Sequence, residues 1–97
     1  MYTRIVTVQL KPGQLEEAVR IFQDSILPAA RQQPGFKSLT LLTDPATGKA
    51  MSVGHWATEA DLRASETNGY LQEQFAKFAQ VMAAPPVREV FQVSAQS

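Results

Sequence analysis

The stretch Thr3-Arg4-Ile5-Val6-Thr7-Val8-Gln9-Leu10-Lys11-Pro12-Gly13 decides how this chain folds. Its first eight residues are rich in β-branched side chains and alternate: Val6, Val8 and Leu10 share one face, Ile5, Thr7 and Gln9 the other. The first face is dry and the second is mixed. Pro12-Gly13 stops the strand. Glu16-Glu17 then put negative charge in a first helical turn, where the macrodipole favours it, and Leu15, Val19, Phe22 and Ile26 recur at helical spacing.

Further along, Pro28 falls inside that helical pattern and lacks the amide that would bond Asp24, a loss of about 3 kcal/mol in an uninterrupted helix. A kink or restart near Leu27 is expected. The helix ends before Pro34-Gly35, and Phe36 to Thr43 read as a second strand with Leu39 and Leu41 on one face. Asp44-Pro45-Ala46-Thr47-Gly48-Lys49 is a turn, so the third strand, 50–57, closes a hairpin. Thr58 and Asp61 have capping-box spacing and open a short helix over 59–66. Asn68-Gly69 interrupts it. Tyr70, Leu71, Phe75, Phe78, Ala79 and Met82 define a longer helix to about residue 83, Pro85-Pro86 forbids continuation, and Val87 to Ala95 reads as a last strand.

That order, βαββαβ, predicts a ferredoxin-like α+β domain spanning 1–97, with the helices on one face of a four-stranded antiparallel sheet. The other face would carry Ile5, Thr7 and Gln9 with Phe91 or Val90, too apolar for water and too polar for a monomer core. Two sheets packed through these faces resolve the conflict, and a chain this short gains stability from an extra interface. A homodimer through the sheet face, forming a composite α+β barrel, is the expected assembly.

Composition narrows the chemistry. Nine basic and nine acidic side chains cancel and are scattered, which argues against a nucleic-acid partner. With no cysteine and a single histidine, His55, neither thiolate chemistry nor a His-rich metal site is expected, so no metal or cofactor is predicted. No apolar run is long enough to span a membrane and the start reads as a strand, so a cytoplasmic location is expected. No serine sits in a nucleophile elbow and no glycine-rich loop suits phosphate.

Lys11-Pro12-Gly13, Leu27-Pro28, Pro34-Gly35-Phe36 and His55-Trp56-Ala57-Thr58-Glu59-Ala60-Asp61-Leu62, in that order and spacing, resemble an antibiotic-biosynthesis-monooxygenase domain over nearly the whole chain. The resemblance implies a dimeric α+β barrel with a pocket in each subunit between helices and sheet. Such proteins include cofactor-free oxygenases of polyketide anthrones, quinol oxygenases, haem-degrading enzymes and many proteins without a known activity. In the haem-degrading branch an Asn, a Trp and a His carry the chemistry; their places fall near Val6, Ser65 and Phe75, which departs from that branch at all three.

Several residues are candidates for a site. Trp56 shares a strand face with Ser52 and Gly54, where two small residues leave room beside a flat ring; it reads as a pocket wall or as a core plug. Family oxygenases that use a Trp and an Asn match Trp56, but four residues earlier this chain has Ser52. His55 points the opposite way, with Val53 and Met51, and is either a general base for a phenolic proton or a strand-end or interface histidine. Tyr70 could bring a hydroxyl over the pocket mouth, and Arg4, Arg63 and Arg88 could stabilise an oxyanion or be solvated surface charges. The catalytic expectation rests on His55 and Trp56, and the substrate-binding expectation on Ser52, Tyr70 and Arg63.

The leading functional expectation is a cofactor-independent monooxygenase acting on a small aromatic, quinol or polyketide-type molecule. A non-enzymatic dimeric ligand-binding or stress-response module of the same fold is the alternative, and an architectural dimerisation domain is the third. The sequence leaves open whether there is turnover at all.

Overall fold

A computed structural model describes residues 1–97. The elements are β1 (Tyr2–Gln9), α1 (Leu15–Ile21), a π-helical turn (Phe22–Ile26), α2 (Leu27–Arg31), β2 (Phe36–Asp44), β3 (Lys49–Trp56), α3 (Glu59–Thr67), α4 (Tyr70–Phe78) and β4 (Val87–Gln92). The strands form one antiparallel sheet in the order β2-β3-β1-β4, which is the ferredoxin-like α+β arrangement.

The alternation of β1 decides the two faces. Val6, Val8 and Leu10 are buried against the helices, with Ala18, Phe22, Ile26, Phe78 and Val81 in the same cluster. Through the register, Arg4 pairs with Gly54 and Val6 with Ser52. Gly54, Ser52 and Trp56 therefore lie on the helix side, and His55, Val53 and Met51 on the open side. Phe91 pairs with Thr3 and faces the open side, whereas Val90 pairs with Arg4 and packs beside Trp56 under the helices. Of the two residues expected on the open face, only Phe91 is there.

Pro28 acts as its chemistry requires. It stands in the first turn of α2, and the hydrogen bonding before it widens to five residues, with the Leu27 N–H donating to the Phe22 carbonyl. The helix restarts at Leu27 rather than breaking. At α3, Thr58 is extended and its Oγ1 accepts the Asp61 N–H at 3.1 Å.

Most boundaries fall within a residue of the sequence reading, and three of those that differ have a visible cause. α4 ends at Phe78, not near 83, because the chain peels off to extend the end of β1: Lys11 N–H donates to Val81 O at 2.8 Å and Ala83 N–H to Gln9 O at 2.7 Å. Leu10 makes only an isolated bridge, to Met82, so β1 closes at Gln9. β4 stops at Gln92, opposite Tyr2, where the partner strand begins.

The open face carries Leu42, Val87 and Phe91 at 51%, 58% and 49% exposure. Leu42 pairs with Met51 and Val87 with Thr7, which puts all three on the side away from the helices. No helix is long and apolar enough to cross a membrane.

Candidate functional site

An apolar cavity of about 60 Å³ lies between the helix face of the sheet and α4. Its floor is Arg4, Val6 and Val8 of β1, Leu39 and Leu41 of β2, and Ser52 and Gly54 of β3. Its roof is Tyr70, Leu71, Gln74, Phe75 and Phe78 of α4, with Met82 and the π-turn residues Phe22 and Ile26 at the sides. Small residues at 52 and 54 leave the space that larger side chains would fill.

Local sequence delivers Tyr70. Gly69 takes a φ of +91°, a conformation that suits glycine, and Asn68 Oδ1 accepts the Tyr70 N–H at 2.9 Å. α4 therefore starts with a ring turned into the cavity. Burial pushes the Tyr70 hydroxyl above its ordinary pKa, although the Arg4 charge opposes this. Gln74 is tied back by its own bonds, its Nε2 donating to Tyr70 O and its Oε1 accepting from Lys77 Nζ.

Arg4 is the charged group in this cavity, and it is 94% shielded, with 6% of its surface exposed. Its Nη1 donates to Ser65 Oγ at 2.8 Å and stands 3.6 Å from Glu66 Oε2. Its guanidinium carbon lies 5.4 Å from the Trp56 ring centroid, a cation–π distance. Burial pushes the guanidinium below its ordinary pKa, and the Glu66 charge opposes this in part.

Glu66 is the hub behind it. Arg88 Nη1 reaches its Oε1 at 2.7 Å and Arg63 Nη1 at 3.3 Å. Burial alone would raise the Glu66 carboxyl, but hydrogen bonds and charge from Arg88, Arg63 and Arg4 outweigh it and hold the group below the usual carboxylate range.

Trp56 is 2% exposed and stands between Phe36 and Tyr70, edge-on to both at centroid distances of 5.7 and 6.3 Å. It is a core residue behind the cavity rather than a lining wall. Its indole Nε1 is buried without a hydrogen-bond partner. A Cβ at Gly54 would stand 3.2 Å from Leu39 Cδ1 and 3.7 Å from that nitrogen, so glycine here lets the Leu39 and Trp56 side chains close over the strand.

Of the expected site residues, Ser52 and Tyr70 line the cavity and Trp56 backs it. Arg63 does not reach it: half exposed on α3, it pairs with Glu59 and Glu66. Helical spacing places it on the outer surface, and Arg4 occupies the position it was expected to fill. His55 lies across the sheet, its Nδ1 hydrogen-bonded to Thr3 Oγ1 at 2.6 Å, and cannot share a cavity with Trp56 because adjacent strand residues face opposite ways. No group of three or more His, Cys, Asp or Glu side chains is placed to hold a metal ion.

Comparison with known proteins follows the same lines. A Nitrosomonas europaea protein of unknown function is 25% identical, with a TM-score of 0.77 over 99% of this chain and 91% of that one. Rv0793 from Mycobacterium tuberculosis is 15% identical, with a TM-score of 0.75 over 99% and 97% of the two chains. The ActVA-Orf6 monooxygenase of Streptomyces coelicolor, solved with Nanaomycin D, is 16% identical, with a TM-score of 0.75 over 99% of this chain and 89% of that one. No curated protein sequence matches. Residues 1–81 match the model of a family described as antibiotic biosynthesis monooxygenase, and the chain belongs to that family.

Proposed function

We propose that this chain is a cofactor-independent monooxygenase of a small phenolic or quinol-type aromatic, working as a homodimer joined through the open sheet face. One observation carries the reading: an apolar cavity between sheet and α4 is lined by a single charged group, the buried Arg4 guanidinium, with the Trp56 ring packed behind it. The monooxygenase of this fold solved with Nanaomycin D supports a small-molecule ligand.

A phenol oxygen seated against that guanidinium is stabilised as the phenolate, since the positive charge favours the charged form. The electron-rich ring then passes an electron to dioxygen, and recombination forms a carbon–oxygen bond. Loss of one water gives the quinone: a phenol and one dioxygen yield a quinone and one water, with all four electrons drawn from the substrate. No carboxylate or histidine lines the cavity, so the phenolic proton leaves to water and His55 belongs to the sheet face. The apolar walls shelter the radical pair.

The test is dioxygen uptake by metal-stripped protein over a panel of phenols and hydroquinones, with heat-treated protein as the control. Saturable uptake above autoxidation is expected, and a flat panel refutes turnover. That outcome would favour a ligand-binding module, a reading to which the absence of a proton-accepting side chain in the cavity already lends support.

A further inference from the structure

We infer that the Tyr70 ring is the door of the cavity, swinging out into a polar groove between the end of α2 and the start of α4 to admit a ligand. The inference rests on the proposed function for the cavity's being a ligand site, and it adds the route by which that site fills.

A ring cannot enter unless a wall moves. A dry cavity of about 150 Å³ holds benzene in a known case, and this one is about 60 Å³. Protein interiors are close-packed, so a side chain retreats only where there is space behind it. Phe22, Ile26 and Phe78 stand in the main core, packed with Val6 and Val8. Tyr70 and Gln74 differ: besides the cavity, both line an open groove of about 340 Å³ that Gln32, Gln33, Asn68 and Glu73 border.

Of these two, Tyr70 is the one free to turn. The Gln74 amide is fastened at both atoms, its Nε2 donating to Tyr70 O and its Oε1 accepting from Lys77 Nζ. The side-chain hydrogen bonds that reach Tyr70 end on its backbone N–H and carbonyl, so its ring is held by packing, edge-on to Trp56. In the groove the hydroxyl would meet the amides of Gln32, Gln33 and Asn68 and the Glu73 carboxylate, all of which accept hydrogen bonds. A tyrosine, apolar in body and polar at its tip, suits both positions.

The backbone is hinged at the same place. Only Asn68 and Gly69 separate α3 from α4, and a Cβ on Gly69 would meet nothing within 4 Å, so the joint stands clear of its surroundings. One exposed hydrogen bond latches it to the turn after α2, Asn68 Nδ2 donating to Gln33 Oε1 at 3.1 Å. The other end of α4 is anchored: Phe78 sits in the core and Lys77 Nζ reaches the Ser25 carbonyl at 3.4 Å. Motion is therefore concentrated at Tyr70.

The test reads Trp56, the single tryptophan, which lies behind Tyr70 and is 2% exposed. Acrylamide, a small neutral quencher, reaches its indole at a rate set by opening of the door, measured from fluorescence lifetimes. Gln33→Ala removes the latch and should raise the quenching rate constant about fivefold, since the net contribution of one hydrogen bond is lost from the closed state. Gln32→Phe fills the groove from an exposed position, leaves the Tyr70 ring no space to enter, and should lower the rate constant severalfold. A rate constant that stays put in either variant, or moves the wrong way, overturns the inference. General loosening of the chain can only speed quenching, so the slowed Gln32→Phe variant keeps the test decisive. Quenching needs no turnover: a moving door with a flat oxygen panel would refute the oxygenase reading alone, and oxygen uptake with unmoved quenching would refute the door alone.

Discussion

Replacing Glu66 with Gln tests the charge hub directly. Its side chain is 9% exposed and faces Arg4 at 7%, Arg63 at 50% and Arg88 at 45%. Removing one partner of a buried ion pair costs about 3–5 kcal/mol, because the other charge is left without compensation. Arg63 and Arg88 are exposed enough to turn to water, so only Arg4 is stranded and the lower end, about 3 kcal/mol, is expected. With a urea slope of about 1 kcal/mol per molar, the midpoint should fall by about 3 M at neutral pH. The sign with pH follows from the direction of the Glu66 shift. Its folded pKa lies below the ordinary 4.5, so its contribution is present in full above that value and fades as pH drops through the folded pKa. Once Glu66 is protonated the native chain resembles the variant, and the gap between their midpoints should close in acid. Arg63→Met is the control: an exposed pair is worth about 0–1 kcal/mol. A Glu66→Gln midpoint matching the native one at neutral pH, or a gap as wide in acid as at pH 7, would refute the reasoning.

Two further expectations rest on other parts of the molecule. Thr58→Ala removes the oxygen that accepts the Asp61 N–H and should cost about 1 kcal/mol. In a domain of this length that lowers the calorimetric Tm by roughly 4–8 °C. Phe91→Glu replaces one of the exposed apolar side chains of the open face and should shift the sedimentation profile towards monomer, while an unchanged profile would remove this face as the interface.

The fold was legible because its punctuation is local. Pro12-Gly13, Pro28, Asn68-Gly69 and Thr58 each act within a turn of where they stand, and β1 announces its two faces by alternation alone. Where the sequence reading slipped, the missing information was long-range. α4 looks helical to 83 by spacing, but residues 81–83 are claimed by the end of β1, some seventy positions earlier. The assignment of Arg63 rather than Arg4 has a more instructive cause. Arg4 is two residues before Val6 and four before Val8, so the alternation that made that face dry also placed a guanidinium on it. A charge at an inward position was the signal. Its partners Ser65 and Glu66 lie 61 and more positions away on α3, and nothing near Arg4 in sequence points to them.

Separating His55 from Trp56 has a chemical consequence that reaches beyond their positions. Strand parity sends the only side chain with an ordinary pKa near neutrality to the open face and leaves the cavity with groups that do not change charge there. Arg4 remains cationic, the indole does not ionise, and burial pushes Tyr70 further above neutrality. Whatever pH dependence the cavity shows near neutrality should therefore belong to the ligand. Phenols of different acidity are expected to give binding curves whose midpoints move in step with the ligand's own pKa, each displaced downward by the same Arg4 charge. A midpoint common to all the phenols, and lost in His55→Gln, would instead place His55 in the binding step and reopen its candidacy as the base.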